Sequence, residues 1–240
     1  MISGGMGVDL LDTIPTQTLM ADAAERRDAA WGRCVTYSRK VFVPLTNMCR
    51  DTCGYCTFVK HPSDPAANIM TRAQVLASAR RGERAGCKEL LFSWGEKPER
   101  RYEKAKVALE HLGYQRMTDY LADMCALVLS ETSLLPHVNA GTLTDEEIDA
   151  LRPVSASMGM MLETVSRRLT RRGQPHYACP DKMPVQRLRT LERAGEKKVP
   201  FTTGLLIGIG ETWRDRIEAL HAINDSHARH GHIQEVIIQN

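Results

Sequence analysis

The sequence lacks long apolar runs and any recognisable export signal. Its longest apolar stretches, 201–209 and 236–238, fall well short of the roughly 18 residues that a membrane-spanning helix needs. The first residues form neither a basic nor an apolar signal region, and they turn acidic at Asp9 and Asp12. We therefore expect a cytoplasmic protein that makes no contact with a membrane.

The chain also lacks a charge excess of either sign. Its 32 Lys and Arg residues nearly balance its 29 Asp and Glu residues, which gives a formal net charge of +3. Because most charges are interspersed, we expect no nucleic-acid partner. One local exception is the cluster of Arg167, Arg168, Arg171 and Arg172. A solvated helix end is its simplest interpretation, and contact with an acidic redox partner or a substrate anion is the alternative.

Low-complexity tracts, internal repeats and interdomain linkers are absent from the sequence as well. Hydrophobic residues make up 42% and charged residues 25%, which is the average for globular proteins and argues against disorder or coiled coil. At 240 residues the chain is long enough for one large domain.

Short apolar runs alternate with amphipathic helical stretches along the chain. Six runs predict β-strands, several of them apolar at consecutive positions, as in a parallel sheet that is buried on both faces. The predicted strands are 41–45, 89–92, 134–138, 155–162, 201–207 and 233–238, and the clearest helices are 71–85, 118–129, 144–152 and 212–231. This order predicts an α/β fold, either a parallel barrel or an open doubly wound sheet. Since the chain stops directly after the sixth apolar run, we expect it to be a fragment of a longer protein.

The seven cysteines are the first indication of chemistry, because an odd number in a reducing compartment does not suggest structural disulfides. Four of them are scattered, and each is predicted to be a small buried hydrophobic residue. These four are Cys34, Cys87, Cys125 and Cys179. The other three, Cys49, Cys53 and Cys56, lie together just after the first predicted strand.

Thiolates at this spacing suit zinc, copper or an iron–sulfur cluster. Structural zinc normally takes two separated ligand pairs, and no second pair follows at a suitable spacing, which weakens the zinc interpretation. An electron-transfer cluster would need a fourth cysteine, for which Cys34 is the nearest candidate. Three cysteines on a four-iron cluster would leave one iron open to a substrate or cofactor.

The pattern Cys-x3-Cys-x2-Cys, with Tyr55 before the last cysteine, resembles the signature of the radical S-adenosylmethionine (SAM) enzymes. This resemblance implies a [4Fe–4S] cluster on Cys49, Cys53 and Cys56, with SAM bound to the open iron. It also implies a partial (βα)6 TIM-like barrel over 41–240, truncated after the sixth strand, with an N-terminal helical extension over 1–40.

Further segments resemble the SAM-binding motifs of these enzymes. Gly95-Glu96 is similar to the Gly-Gly-Glu segment that binds the methionine amino group, with Trp94 in place of the first glycine. Glu163 ends the fourth predicted strand, where a polar residue commonly contacts the ribose or methionine. The glycine-containing segment 204–211 resembles the one that passes close to adenine. The residues predicted to bind SAM are Tyr55, Gly95, Glu96, Glu163 and Gly208.

A narrower resemblance, to the radical SAM half of the deazaflavin synthases, covers the chain from Lys40 onward. It rests on the cysteine segment and on 95–99, 135–141, 155–163, 180–182 and 232–240; Met183 departs from the pattern, which has a polar residue there. The implied reaction is a radical cyclisation of a hydroxybenzyl–ribityluracil adduct, with loss of ammonia, to 7,8-didemethyl-8-hydroxy-5-deazariboflavin. His137 and Lys182 are the candidate catalytic residues, as groups that could contact the substrate or move protons.

The same resemblance implies two protein partners. One is a flavodoxin- or ferredoxin-type reductant, and the other is a companion radical SAM enzyme that is either a separate subunit or a fused half. Two alternative functions stay open: the companion reaction, which joins tyrosine to ribitylaminouracil, and a non-enzymatic zinc-binding module.

Overall fold

The computed structural model describes residues 13–240. The chain divides into two compact units, one that ends at Ser38 and one that spans Arg39–Asn240. The first unit contains helix α1 (Thr16–Trp31), which begins after Pro15 and ends at Gly32. The predicted helical extension, 1–40, lies partly outside the described residues, and its boundary stays a prediction.

A single sheet of six parallel strands forms the frame of the second unit. The strands are β1 (Lys40–Thr46), β2 (Glu89–Trp94), β3 (Leu135–Asn139), β4 (Ser157–Gly159), β5 (Phe201–Leu206) and β6 (Ile233–Gln239). Their spatial order, β1-β2-β3-β4-β5-β6, is also their chain order, which is the order of a barrel and not of a doubly wound sheet. Within the described residues β1 and β6 are the two edges, so the predicted partial (βα)6 barrel is confirmed.

Six helices connect these strands. They are α2 (Arg72–Arg84), α3 (Glu103–His111), α4 (Met117–Glu131), α5 (Asp145–Leu151), α6 (Pro184–Glu196) and α7 (Trp213–His230). Capping boxes begin three of them, because a threonine hydroxyl accepts from the N3 backbone while the N3 side chain accepts from the threonine backbone. The capping threonines are Thr71, Thr144 and Thr212. No helix within residues 13–240 combines the length and the apolar character that crossing a membrane requires.

The fourth strand is shorter than the sequence predicts. The apolar run 155–162 forms a regular strand only over Ser157–Gly159, although Met160 and Glu163 still donate backbone hydrogen bonds to β5. Glu163 then takes a positive φ of 66°, which ends the extended conformation. Met160 and Leu162 are fully buried although they lie outside the regular strand. A buried irregular segment and a buried strand have the same apolar sequence pattern, so the sequence does not distinguish them.

Successive side chains of each strand alternate between the core that is shared with the helices and the inside of the barrel. Val43, Leu90 and Val138 belong to the hydrophobic core shared with the helices and are fully buried. The neighbouring positions Phe42 and Asn139 line a cavity inside the barrel. Because the carboxyl ends of all six strands meet at one edge of a parallel barrel, the loops that follow them converge there.

Candidate active site

A cavity of about 370 Å³ opens at the carboxyl edge of the barrel. Loops that follow β1, β2 and β4 line it, together with the ends of β3 and β6. Eight of the ten predicted site residues are among its lining residues: Cys49, Cys53, Tyr55, Cys56, Gly95, Glu96, Glu163 and Lys182. The structure therefore brings together residues that are more than one hundred positions apart in the chain.

The first cysteine is held by the loop after β2. The backbone N–H of Glu96 donates to Cys49 Sγ over 3.1 Å, and the N–H of Arg50 donates to the carbonyl of Glu96 over 2.8 Å. Burial raises the pKa of the Cys49 thiol to about 12. Only glycine fits at position 95, because a Cβ there would lie 2.1 Å from the carbonyl oxygen of Met48. The Gly95-Glu96 segment thus packs directly against the cysteine loop.

The other two cysteines lie in different surroundings. Cys53 is half-buried, and a side-chain hydrogen bond with Cys179, together with burial, raises the pKa of its thiol. Cys56 is exposed, and its backbone N–H donates to the carbonyl of Cys53 over 3.1 Å. Within residues 13–240 no three His, Cys, Asp or Glu side chains are placed to hold a single metal ion. The three thiols therefore share a cavity without converging on one point.

Glu163 is the centre of a buried ionic network. Its carboxylate accepts from Lys182 Nζ over 2.5 Å and from the Tyr55 hydroxyl over 3.0 Å, and it lies 3.7 Å from the Arg187 guanidinium. Burial raises the pKa of Glu163, but Arg187 and Lys182 outweigh that effect and hold the pKa well below its usual range. The His176 ring also faces this carboxylate and hydrogen-bonds the Tyr55 hydroxyl over 3.1 Å.

The Glu163→Gln variant should be less stable than the wild type by about 3 kcal/mol at pH 7, because it leaves buried cations without their counter-ion. A depressed folded-state pKa contributes stability above the unfolded pKa of about 4.3 and loses it as pH falls, so the difference should narrow below pH ~4. Urea unfolding across pH measures both effects. The exposed pair of Arg214 and Glu218 supplies the control: Glu218→Gln should change stability by less than about 0.5 kcal/mol. Equal stability losses in the two variants would contradict this account.

A second acidic network lies beside Gly95. Arg50 donates from Nε and Nη2 to the two carboxylate oxygens of Asp181, each over 2.5 Å, and Arg50 is among the groups that hold the pKa of Asp181 below its usual range against the effect of burial. Among residues 13–240 no arginine pairs in this way with Glu96, which accepts from Thr142, or with Asp51, which accepts from the Asp181 N–H. Burial, with the nearby Asp181 charge, raises the pKa of Glu96 to about 8 and that of Asp51 to about 6. Added positive charge at this edge of the cavity would therefore favour their ionisation.

Two predicted site residues lie apart from the cavity lining. His137 is buried on β3, two positions before Asn139, and its Nδ1 hydrogen-bonds the Ser157 hydroxyl over 2.7 Å. Burial lowers the pKa of His137 to about 4. Gly208 is exposed beyond β5 and donates its N–H to Glu211, and a Cβ there would meet no atom within 4 Å. The catalytic role of His137 and the adenine contact of Gly208 stay predictions. Neither residue is part of the lining of this cavity.

The structure also corrects two predictions, one about the scattered cysteines and one about the arginine cluster. Cys125 and Cys179 are buried as predicted, but Cys87 is only half-buried and Cys34 is exposed. The arginine cluster begins on a short 3-10 turn, Arg167–Thr170, and not on an α-helix end. Within the cluster Arg168 donates to the Gly210 carbonyl and pairs with Asp215.

Sequence reasoning missed the partners that hold the predicted residues in place. Arg187 lies on α6, which was not predicted, and His176 and Cys179 lie in the irregular segment before that helix. Asp181 and Lys182 belong to segment 180–182, which resembles the deazaflavin synthases. Nothing in the sequence of that segment indicates that Asp181 pairs with Arg50. The positions of these residues depend on tertiary contacts, which short-range periodicity does not record.

An open parallel barrel with three cysteines beyond its first strand defines a class of enzymes. The sequence model of the Radical SAM superfamily matches residues 43–223, and the chain belongs to that superfamily. The cofactors of this superfamily are a [4Fe–4S] cluster and SAM, so the cofactor prediction is confirmed at the level of the family.

Two curated relatives are similar over most of the chain. It is 48% identical over 206 residues to the 7,8-didemethyl-8-hydroxy-5-deazariboflavin synthase of Methanopyrus kandleri, covering 86% of this chain and 62% of that protein. It is 48% identical over 237 residues to the FO synthase of Mycobacterium tuberculosis, covering 92% of this chain and 28% of that protein. The predicted resemblance to deazaflavin synthases is confirmed, and the chain spans less than two thirds of either relative.

The fold is similar to that of a solved structure of lower identity. The FeFe-hydrogenase maturase HydG from Carboxydothermus hydrogenoformans superposes with a TM-score of 0.74 at 20% sequence identity. The match covers 93% of this chain and 48% of that one. It supports the fold alone.

Proposed function

We propose that this chain is the radical SAM half of a deazaflavin-forming enzyme. It would cyclise a hydroxybenzyl–ribityluracil adduct to 7,8-didemethyl-8-hydroxy-5-deazariboflavin, with loss of ammonia. The observation that carries the proposal is the cavity that gathers three cysteine thiols, the Gly95-Glu96 segment and Glu163 at the carboxyl edge of the barrel. The relatives named for this product, at 48% identity, support the choice of substrate.

Cys49, Cys53 and Cys56 would hold the cluster. A single zinc ion needs about four ligands around one point, an arrangement that these described side chains do not make. A four-iron cluster is larger, and each thiolate binds its own iron, so thiols spread around one cavity fit it better. A cluster held there would supply one-electron chemistry to SAM, and the protein's own side chains would hold and orient the reactants.

The two charged networks would bind different parts of SAM. Glu96 and Asp51 are carboxyl groups whose pKa values are raised by burial and by the Asp181 charge, and they suit the methionine amino group. The Glu163 carboxylate, held by Lys182 and Tyr55, suits a ribose hydroxyl. Both networks are fixed by hydrogen bonds to neighbouring loops, so the site is preorganised.

The substrate would enter the same cavity at the side that residues of β1, β3 and β6 line. Phe42, Asn139 and Gln239 line this part of the cavity and offer one aromatic face and two amide groups. Amides match the donor and acceptor pattern of a uracil ring. Lys182 is the candidate to contact the substrate or move a proton. The protein's contribution is to orient the reactive carbon and to exclude water.

SAM binding should release protons near neutral pH. A cation bound beside Glu96 lowers the pKa of a carboxyl group that is largely protonated at pH 7, and the proton then leaves. The binding enthalpy measured by isothermal titration calorimetry should therefore differ between buffers of different ionisation enthalpy at pH 7. The α-amino group of SAM, with an ordinary pKa of about 8, also loses a proton when it binds iron, so the comparison needs a variant that lacks the Glu96 carboxyl group. The difference between the buffers should be smaller in Glu96→Gln than in the wild type, and an equal difference in both would contradict this role of Glu96.

The function is tested by supplying each candidate substrate to the same protein. The chain is reconstituted anaerobically with iron and sulfide, reduced, and incubated with SAM and the hydroxybenzyl–uracil adduct. We expect 5′-deoxyadenosine and a fluorescent deazaflavin. A parallel reaction contains tyrosine and ribitylaminouracil in place of the adduct, and formation of the adduct there would assign the companion reaction instead. A colourless protein that binds zinc but not iron would refute both assignments.

The partners are part of the same proposal. A flavodoxin- or ferredoxin-type reductant would supply the electron, and the companion radical SAM enzyme would supply the adduct. Arg171 and Arg172 are exposed in the segment that reaches the cysteine loop at Pro175, and they suit an acidic surface. The cytoplasmic location stays a prediction.

A further inference from the structure

The turn that follows β3 holds the carboxyl group of Glu96. The backbone N–H of Thr142 donates to Glu96 Oε2, and the Thr142 hydroxyl donates to Glu96 Oε1, each over 3.3 Å. Glu96 is only 8% exposed and lines the cavity, whereas Thr142 is not part of the lining. A carboxylate has about four lone-pair sites, so two donors from Thr142 leave capacity for a ligand.

Glycine at position 141 makes room for this carboxyl group. Gly141 has a positive φ of 67°, a conformation that residues with a side chain rarely adopt. A Cβ there would overlap Glu96 Oε2. The hydrogen bonds between Thr142 and Glu96 therefore depend on the absence of a side chain at the preceding position.

Buried contacts anchor the turn at two successive residues. Lys97 donates from Nζ to the Thr142 carbonyl over 2.8 Å and to Glu147 Oε2 over 2.7 Å, and the side chains of Lys97 and Glu147 are each only 3% exposed. The N–H of Leu143 donates to the Thr190 hydroxyl over 3.1 Å. The turn is thus a fixed support for the side chains that it contacts.

The Thr142 hydroxyl also serves a second carboxyl group. It lies 2.8 Å from Asp181 Oδ1, and Asp181 is paired with Arg50. A hydroxyl carries one hydrogen and donates to one of the two carboxyl groups at a time. The backbone N–H of Thr142 remains a donor to Glu96 in either case.

We propose that Gly141 and Thr142 position the Glu96 carboxyl group for the amino group of SAM and make the site selective for ligands that carry this group. The inference rests on the proposed function, in which Glu96 binds the methionine amino group. A side chain that is already fixed loses little conformational freedom when a ligand binds, so the ionic contact contributes more to affinity. A ligand without the amino group gains nothing from this arrangement. Gly141 and Thr142 are positioning residues, because they act through Glu96.

Gly141→Ala tests the proposal by equilibrium binding to the chain reconstituted with iron and sulfide. The ligands are SAM and an analogue in which hydrogen replaces the α-amino group. We expect SAM affinity to fall about threefold to tenfold, because the displaced carboxyl group must be reordered on binding. Affinity for the analogue should stay within about twofold of the wild-type value, so selectivity for SAM should fall. Equal losses for both ligands would overturn the inference, since the added methyl group would then only obstruct the cavity.

The matched control is a glycine with the same backbone conformation. Gly231 also has a φ of 67°, and a Cβ there would meet no atom within 4 Å. Gly231→Ala therefore imposes the same backbone strain without contact with Glu96. Both variants should unfold at a lower urea concentration, but only Gly141→Ala should lose SAM affinity. An equal loss of SAM affinity in Gly231→Ala would contradict the positioning role.

The Thr142 hydroxyl gives a second test that involves no backbone strain. Thr142→Val should lower SAM affinity at least about threefold, and Thr142→Ser, which keeps the hydroxyl, should restore it. Thr190→Val removes a hydroxyl that holds Leu143 in the same loop and should leave SAM affinity within about twofold of the wild-type value. If Thr190→Val lost as much SAM affinity as Thr142→Val, the integrity of the loop and not the contact with Glu96 would be responsible, and the inference would fail.

Failure of the inference can be told apart from failure of the proposed function. If the wild type binds SAM but forms no deazaflavin, the proposed reaction fails, and the binding of the variants still decides the inference. If the wild type forms deazaflavin and Gly141→Ala binds SAM as the wild type does, the inference alone fails. A wild type that binds no SAM would overturn both.

Discussion

Replacing Cys53 with serine will abolish SAM cleavage and prevent assembly of a complete cluster. Serine is a poor ligand for iron at neutral pH, because its hydroxyl does not ionise as a thiol does. Loss of residues that only support metal ligands typically costs 10- to 100-fold in affinity or activity. Loss of a ligand should therefore lower the rate of 5′-deoxyadenosine formation by more than about 100-fold, and Cys49→Ser and Cys56→Ser should do the same. Iron and sulfide content and product chromatography measure the two effects.

The matched control for these variants is a cysteine outside the cavity. Cys87→Ser removes a half-buried thiol and should leave iron content and SAM cleavage close to those of the wild type. Cys125→Ser, at a fully buried position, should mainly lower stability. SAM cleavage by Cys53→Ser at the wild-type rate would refute the assignment of the cluster ligands.

Replacing Gly95 with alanine should produce the second largest loss. A Cβ at this position would lie 2.1 Å from the Met48 carbonyl oxygen and 2.8 Å from Cys49 Cβ, so the cysteine loop must move. We expect SAM affinity to fall at least about tenfold and stability to fall by about 1–3 kcal/mol, the usual cost of forcing extra atoms into a packed site. Equilibrium binding and urea unfolding measure the two losses.

A second tight glycine separates the loss of function from the loss of stability. Gly82 lies on α2, a helix that contributes no residue to the lining of this cavity, and a Cβ there would come 2.5 Å from the Val41 side chain. Gly82→Ala should lower stability by a similar amount and leave SAM affinity unchanged. If Gly95→Ala lost stability but bound SAM as the wild type does, the close contact between the two loops would have no role in binding.

The succession of strands along the chain could be predicted because short apolar runs and capped helices alternate, whereas the choice of a barrel over a doubly wound sheet came from the family resemblance. The threonines that begin α5 and α7 form capping boxes, as their sequences indicate. The cysteine spacing likewise places three thiols in the loop after β1, whatever the details of the fold. Each of these features is local in sequence, and each agrees with the structure.

Features that depend on burial or on distant contacts were predicted less well. The run 155–162 is largely apolar, yet only Ser157–Gly159 forms a regular strand, because Met160 and Leu162 are buried without belonging to that strand. His137 lies on β3 two residues before Asn139, which lines the cavity, and its catalytic role stays a prediction. Cys179 was predicted only as a small buried residue, since the link between its segment and the cysteine loop, a hydrogen bond from the Gly54 N–H to the Pro175 carbonyl, is visible only in the tertiary structure.

The central claim is that three cysteines hold an iron cluster and leave one iron free for SAM. Electron paramagnetic resonance of the reduced, reconstituted protein, recorded before and after addition of SAM, tests it most directly. We predict a signal of one [4Fe–4S] cluster per chain whose shape changes when SAM is added, with the same change in Cys179→Ser. A spectrum that SAM leaves unaltered in the wild type but changes in Cys179→Ser would show that Cys179 occupies the fourth iron and would contradict the account.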